Sequence, residues 1–330
     1  MGVASRLASR LVGLAGYDKT ALGPGHVLLQ RRGSVPLVPE EVEPDVWLVQ
    51  PAGPGGRKVT PVGPEELRSA LLVPRRTSRR DRQKLQVAMG RHLGAEQSAA
   101  ALKALDIDCV LDVGANVGQF AEGLRSRGYT GRIVSFEPLA ALAATLRRKA
   151  AHDPDWLVFE CALGEEEGTA EINAARGSVS SLLPASDFGK EWSSSLAETH
   201  VETIQVRRLD SLLDEALTGL DDPRVYLKLD TQGFDLHAFR GAGDRLDQIV
   251  GMQSEVPCIP IYDGMPTMTE LLTAYTSAGF EIAGIYTVSS HLRSLRVIEF
   301  DVLMVRAGEV YRTERETAQE GAGVTSGGLP

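Results

Sequence analysis

An acidic residue and a glycine-rich turn follow one another near residue 112 of the chain. The apolar run Cys109–Leu111 predicts a buried strand, and the residues after it favour a tight turn and then a helix. The residues of this turn that can do chemistry are Asp112, Gly114, Asn116 and Gly118. The glycines let the backbone pass close to a ligand that a Cβ atom would push away. The carboxylate of Asp112 repels phosphate, but it suits an ammonium group or a hydroxyl.

The spacing of the glycines in this turn indicates which nucleotide cofactor it can bind. A dinucleotide fingerprint in this frame would need three glycines, and the chain has only the first of them, Gly114. The next predicted strand, Arg132–Phe136, ends at Glu137 and Pro138, where a carboxylate can bind both hydroxyls of a ribose. This combination predicts S-adenosylmethionine as the cofactor, with Glu137 and Pro138 among its contacts. A nicotinamide-dependent dehydrogenase is the more distant alternative.

A longer series of motifs resembles the FkbM-type S-adenosylmethionine-dependent methyltransferases. The motifs occur in order between residues 85 and 306, as Leu111–Gly118, Gly128–Pro138, Ala162–Gly164, Ser180–Leu182, Leu209–Leu212 and Leu227–Gly233. The resemblance implies an α/β, Rossmann-like class I methyltransferase fold, whose mostly parallel sheet ends in a C-terminal antiparallel hairpin. It also implies that Ala162 lies under the adenine, and we expect Ser181 near the methionine end of the cofactor. Gln232 departs from the family pattern, because many relatives have glutamate there.

Two carboxylates are predicted to end neighbouring strands of this sheet. Asp230 follows the strand Val225–Leu229, and Glu255 follows the strand Ile249–Ser254. Methyl transfer to a hydroxyl depends mostly on orientation and needs a base as the new bond forms. Asp230 and Glu255 are therefore candidate catalytic residues, with Asp230 also beside the cofactor. The same pair would bind a divalent metal ion, but no third hard ligand adjoins Glu255, so a metal-independent reaction is expected.

Three further polar side chains are predicted to face the acceptor. His291, in the polar connection between the last two strands, is a candidate base or acceptor contact. Gln232 is a candidate substrate-binding residue, and Tyr262 could stack on a sugar ring. The serine-rich run Arg176–Ser195 has few apolar residues, which predicts a lid that orders when ligands bind.

The chain is expected to have three parts. Residues 1–80 would form a Gly- and Pro-rich extension, residues 81–306 the methyltransferase domain, and residues 307–330 a polar, disordered tail. Within the domain, the runs Phe280–Ile285 and Val297–Val305 predict the final antiparallel hairpin.

Composition limits the partners and the location of the protein. The net charge of −9 gives no electrostatic support for a nucleic-acid partner. Neither an apolar run of about 18 residues nor a signal peptide is present, so a cytoplasmic protein is expected. The basic amphipathic stretch Met1–Gly16 leaves a weak contact with a membrane surface open. Cys109, Cys161 and Cys258 lack metal-binding spacing and indicate buried free thiols, and the oligomeric state is not predicted.

Together these features predict an S-adenosylmethionine-dependent O-methyltransferase. The resemblance points to a hydroxyl of a sugar moiety or of a secondary metabolite as the small-molecule acceptor. Of these, an acceptor that carries a sugar is favoured. A polyketide hydroxyl is the second candidate acceptor. The alternative of a different class is a non-catalytic scaffold that binds the cofactor, since position 232 offers no carboxylate.

Overall fold

The computed structural model describes residues 17–23, 26–31, 37–43, 46–51, 70–72 and 79–309, apart from residues 176, 292 and 293. The chain divides into two compact units, residues 1–93 and residues 94–330. The predicted boundary at residue 80 remains a prediction. The stretch Met1–Gly16 and residues 310–330, on which the predictions of a membrane contact and of most of the tail fall, lie outside the described residues.

The described residues of the first unit include two small antiparallel sheets. One consists of β1 (Tyr17–Gly23) and β2 (His26–Arg31), and the other of β3 (Leu37–Glu43), β4 (Val46–Pro51) and β5 (Ala70–Leu72). The long helix Arg79–Ala104 contains the boundary between the units.

The second unit alternates strands and helices. Its strands are β6 (Cys109–Val113), β7 (Arg132–Phe136), β8 (Trp156–Phe159), β9 (Ala162–Leu163), β10 (Gly168–Ala174), β11 (His200–Arg207), β12 (Val225–Leu229), β13 (Ile249–Pro257), β14 (Phe280–Ser290) and β15 (Val297–Arg306). Its helices are Gln119–Ser126, Ala140–Ala150, Asp187–Trp192, Ser194–Ala197, Leu209–Ala216, Asp235–Arg240, the 3₁₀ helix Gly243–Gln248, and Met268–Ser277.

Seven of these strands form the central sheet, in the order β14-β15-β13-β12-β6-β7-β8. The strands from β13 to β8 pair in parallel, and β15 runs antiparallel to both β13 and β14. This arrangement confirms the predicted class I methyltransferase fold. The strand order reverses between β6 and β12, and ligands of such sheets bind at the carboxyl ends of the strands at this point.

The central strands are buried on both faces. Every residue of β6 and β12 is buried, as expected for parallel strands that helices cover on either side. One face packs against Leu209 and Leu213 of one helix, and the other packs against Leu124. Within these two strands the charged residues are Asp112 and Lys228, so each needs a partner of opposite charge.

The structure corrects the predicted end of the fifth parallel strand. Strand β13 continues through Glu255 to Pro257, because it pairs with β15 along this length, with Glu255 opposite Asp301 and Pro257 opposite Glu299. Glu255 therefore lies within the strand rather than after it.

The structure also corrects the description of the run Arg176–Ser195. Ala185 forms a backbone bridge with Tyr262 and is buried, and Phe188 and Trp192 pack against the same apolar cluster. The run thus has more apolar anchors than its sequence indicates, because their partners come from a distant loop. The lid itself stays a prediction.

Two composition-based expectations can be compared with the fold. Cys109 and Cys161 are buried free thiols as predicted, but Cys258 is exposed. None of the helices in the described part of the chain combines the length and the apolar character of a membrane span.

Candidate active site

A cleft opens at the carboxyl ends of β6, β7 and β12. Of the predicted site residues, its lining includes Gly114, Asn116, Glu137, Pro138, Ala162, Asp230 and Gln232. Among the described residues that line the cleft, the charged ones are Glu137 and Asp230, both acidic. A wall with carboxylates and without arginine or lysine disfavours phosphate groups. It suits a ligand that carries hydroxyls and a positive charge, as S-adenosylmethionine does.

The glycines of the turn are required by the packing of the protein itself. Gly114 has φ of 76°, and a Cβ atom there would overlap the carbonyl oxygen of Asp230. Gly118 has φ of 87°, and its Cβ would lie 2.8 Å from Leu146 and 3.0 Å from Trp156. The glycines therefore let β6 and β12 end close together and let the following helix pack, which is a different role from the predicted approach to a ligand.

Glu137 lies at the end of β7 with its carboxylate held by the backbone. Its Oε2 accepts a hydrogen bond from the Asn116 amide at 2.8 Å, and its Oε1 accepts one from the Leu139 amide at 3.0 Å. Burial raises the pKa of Glu137 to about 7, although these two hydrogen bonds oppose the shift. Each oxygen keeps a further lone pair, so the carboxylate can still accept from two ribose hydroxyls.

The sequence predicts that Asp112 contacts the cofactor, but in the structure its carboxylate contacts another residue of the protein. Asp112 is fully buried and does not line the cleft, and its Oδ1 lies 3.0 Å from Lys228 Nζ. The ammonium also lies 3.4 Å from Asp230 Oδ2 and 5.4 Å from the centre of the Phe120 ring. Burial disfavours its charge, but the two carboxylates outweigh burial and raise the pKa of Lys228 above its usual value. Lys228 therefore stays charged and links the turn after β6 to Asp230.

The amide of Gln232 brings the two candidate catalytic carboxylates together. Its Nε2 donates to Asp230 Oδ1 at 3.0 Å and to Glu255 Oε2 at 2.9 Å. Its Oε1 accepts from the Tyr262 hydroxyl at 2.9 Å, and this tyrosine is 2% exposed. Asp230 is 42% exposed towards the cleft, whereas Glu255 and Tyr262 lie behind it and do not line it. Tyr262 thus contacts the site through Gln232, not through a sugar ring.

The buried Ser181 hydroxyl and the buried Asp235 carboxylate hold the turn that follows β12 in place. The Ser181 hydroxyl donates to the Gln232 carbonyl oxygen at 2.6 Å, so it serves the turn and does not line the cleft. The Asp235 carboxylate accepts from the Thr231 amide at 2.7 Å and from the Ser254 hydroxyl at 2.8 Å. Sequence reasoning missed Asp235, and its only signal was an acidic residue in the first turn of a helix.

His291 contacts Phe188 and Ser294. Its ring contacts Phe188, with 5.9 Å between centroids, and its Nδ1 lies 2.8 Å from the Ser294 hydroxyl. Among the described contacts none joins it to Asp230 or Glu255, so its role as a base stays a prediction.

Several residues that line the cleft were not predicted from the sequence. They are mostly apolar residues that approach from separate elements, and they include Leu139, Leu142, Leu163, Ile172, Leu182 and Phe234. Single apolar residues at strand and helix ends carry no signal of ligand contact, so only the fold could reveal them. They provide an apolar wall on which an adenine can pack.

Comparison with known proteins supports the identity of the domain. The model of the methyltransferase FkbM domain matches residues 112–282, which is slightly more than half of the chain. No curated protein gives a significant match to the sequence.

Several solved structures have a similar fold at low sequence identity. They include magnesium protoporphyrin IX methyltransferase from Synechocystis PCC 6803 with bound S-adenosylmethionine, at 12% identity over 67% of this chain and 82% of that chain, with a TM-score of 0.38. Fibrillarin from Aeropyrum pernix, with the same natively bound cofactor, has 13% identity over 64% and 74%, with a TM-score of 0.34. An rRNA methylase from Streptococcus thermophilus has 11% identity over 63% and 94%, with a TM-score of 0.33. With its sheet order, its acid-lined cleft and its family match, this chain belongs to the FkbM family of S-adenosylmethionine-dependent methyltransferases.

Proposed function

We propose that this protein is an O-methyltransferase that acts on a hydroxyl of a sugar moiety or of a secondary metabolite. The observation that carries the proposal is that Asp230 lines the cleft with its side chain 42% exposed and is held at both oxygens, by Lys228 and Gln232. A hydroxyl has a high pKa and must lose its proton as the new bond forms, and a fixed carboxylate is a suitable acceptor for that proton.

The chain's own residues would divide the work as follows. Bound S-adenosylmethionine supplies a methyl group activated by its sulfonium. Glu137 orients the ribose through its two carboxylate oxygens, and the apolar wall holds the adenine. Asp230 binds the acceptor hydroxyl and takes its proton, while Lys228 and Gln232 keep the carboxylate aimed at the cleft. Orientation of the two reactants supplies most of the acceleration.

The chemistry of the cleft favours a neutral, hydroxylated acceptor. The polar residues along its wall other than the two acids are uncharged and can hydrogen-bond to hydroxyls; they are Asn116, Gln119, Ser178, Ser180, Thr231 and Gln232. The acids and the net charge of −9 disfavour a nucleic acid, although some structures of similar fold are RNA methylases. The buried thiols Cys109 and Cys161 suit the reducing cytoplasm, which we keep as part of the proposal.

The proposal is tested with labelled S-adenosylmethionine and a panel of glycosides, aglycones, polyketides and RNA. We expect transfer to a hydroxyl of a glycoside or small metabolite, located by NMR of the product. Asp230→Asn should lower turnover by about 100-fold or more and leave the cofactor affinity within a few-fold, since the carboxylate acts on the acceptor. Methylation of RNA or of a nitrogen atom would refute the proposal. Tight cofactor binding without any acceptor would favour the scaffold.

A further inference from the structure

The side-chain amide of Gln232 sits between two carboxylates at nearly equal distances. One N–H points to Asp230 Oδ1 at 3.0 Å and the other to Glu255 Oε2 at 2.9 Å. Two carboxylates that converge on one point repel one another, and proteins usually bridge such a pair with a metal ion, a basic side chain or a shared proton. Here a neutral NH₂ group occupies the bridging position.

The surroundings provide little other compensation for this pair. Burial first, and then the neighbouring acids Glu299 and Asp230, hold the pKa of Glu255 well above its usual range. Within the described residues, the ammonium near the pair is that of Lys228, which contacts the other oxygen of Asp230 at 3.4 Å and is shared with Asp112. The amide donors of Gln232 are therefore the groups that directly join Asp230 to Glu255.

The amide is fixed in this orientation by contacts on its other side. Its Oε1 lies 2.9 Å from the buried Tyr262 hydroxyl, whose single hydrogen is shared between this oxygen and the Val179 carbonyl oxygen at 3.0 Å. The Gln232 carbonyl oxygen accepts from Ser181 at 2.6 Å. The backbone of Gln232 has φ of 54°, a left-handed conformation that is costly for a residue other than glycine. If the amide turned over, its oxygen would face two carboxylates, so the hydrogen-bond network assigns the nitrogen to the bridge.

We propose that the Gln232 amide bridges Asp230 and Glu255 in place of a divalent cation, and so is a positioning residue that fixes Asp230 without a metal ion. The catalytic importance of Asp230 rests on the proposed function, whereas the exclusion of a cation by the amide does not.

A glutamate at position 232 would turn the same arrangement into a metal site. Its carboxylate oxygen would replace Nε2 at 2.9 and 3.0 Å from the oxygens of Glu255 and Asp230. Mg²⁺ binds oxygen at about 2.0–2.1 Å in octahedral geometry, which places neighbouring ligand oxygens about 2.9 Å apart. Three carboxylates at this spacing would bind Mg²⁺ or Mn²⁺, and one atom of Gln232 prevents it.

The test measures Mn²⁺ binding by electron paramagnetic resonance, with no need for the acceptor. Gln232→Glu should bind one Mn²⁺ about tenfold or more tightly than the wild type, and the double variant Gln232→Glu/Glu255→Gln should lose the gain. Gln205→Glu is the matched control, because it adds the same charge on an exposed strand position. Binding of S-adenosylhomocysteine confirms that each variant is folded. Gln232→Ala, which only opens the bridging position, should gain weaker Mn²⁺ binding and serves if Gln232→Glu does not fold.

Two results would overturn the inference. In the first, the wild type binds Mn²⁺ as tightly as Gln232→Glu, which would mean that a cation displaces the amide. In the second, neither Gln232 variant binds Mn²⁺ better than Gln205→Glu. With an acceptor in hand, a chelator should leave wild-type turnover unchanged and inhibit Gln232→Glu, with recovery in Mg²⁺. Failure to find any acceptor would affect the proposed function and leave the Mn²⁺ result standing.

Discussion

Replacement of Glu137 by alanine tests the assignment of the cofactor cleft most directly. In the wild type both carboxylate oxygens face backbone amides and keep lone pairs for ribose hydroxyls. Loss of charged hydrogen bonds to the ribose should weaken S-adenosylmethionine binding by about 2 kcal/mol. This corresponds to a change in Kd of about 30-fold.

The same substitution has a cost in folding that depends on pH. The amides of Asn116 and Leu139 lose their acceptor, which costs about 1–3 kcal/mol for each buried group. Burial raises the pKa of Glu137 from 4.5 to about 7, so its contribution to stability is complete below pH 4.5 and is lost as the pH rises through 7. Glu137→Ala should therefore reduce the free energy of unfolding by about 2 kcal/mol more at pH 5 than at pH 8.

Cofactor affinity should show the opposite pH dependence, because the ionised carboxylate is the better acceptor for ribose hydroxyls. With a pKa of about 7, the ionised fraction of Glu137 rises about tenfold between pH 6 and pH 8. Wild-type affinity should rise over this range by up to about tenfold, and the rise should vanish in Glu137→Ala.

Isothermal titration calorimetry from pH 5 to pH 8, with urea unfolding at the same pH values, measures both effects. Glu160→Ala is the control, because this acid follows the adjacent strand β8, is exposed and pairs with Arg147 at 2.6 Å. It should change affinity and stability by less than about 0.5 kcal/mol. An affinity of Glu137→Ala within twofold of the wild type, or an unchanged pH slope, would refute the reasoning.

Two further substitutions test the contacts behind the cleft, with the free energy of unfolding as the measurement. Lys228→Met leaves Asp112 buried without a cation and should lower the free energy of unfolding by about 3–5 kcal/mol. The double variant Lys228→Met/Asp112→Asn should be less destabilised. Equal destabilisation of the single and the double variant would contradict the ion pair. Gly114→Ala should cost at least about 3 kcal/mol because its Cβ would overlap the Asp230 carbonyl. Gly128→Ala should cost about 1–2 kcal/mol, since φ is 88° there but no atom lies within 4 Å, and equal costs at the two glycines would show that φ alone matters.

Local patterns were sufficient to predict the elements of the central sheet. The limits of β7 and β12 agree with the predicted runs of the sequence, because turn-forming or charged residues end each run on both sides. Strand β13 was predicted too short, because its last residues are held by β15, which follows about 40 residues later in the chain. A strand end that is fixed by pairing with a neighbouring strand leaves no signal in the local sequence.

The features of the site also fall into two groups, those that local sequence predicts and those that depend on strand pairing. The sequence by itself determined the strand, turn and helix around Asp112–Gly118, the acid Glu137 at the next strand end and the family, since each depends on residues close together in the chain. Only the tertiary structure decided what the charged groups contact. Lys228 pairs with Asp112 because β12 lies beside β6 in a register that places them opposite one another. Gln232 joins Asp230 to Glu255 because β13 lies on the other side of β12. Hydrogen bonds and direct ion pairs form only between groups a few ångströms apart, so strand order and register set these partners, and spacing along the chain does not.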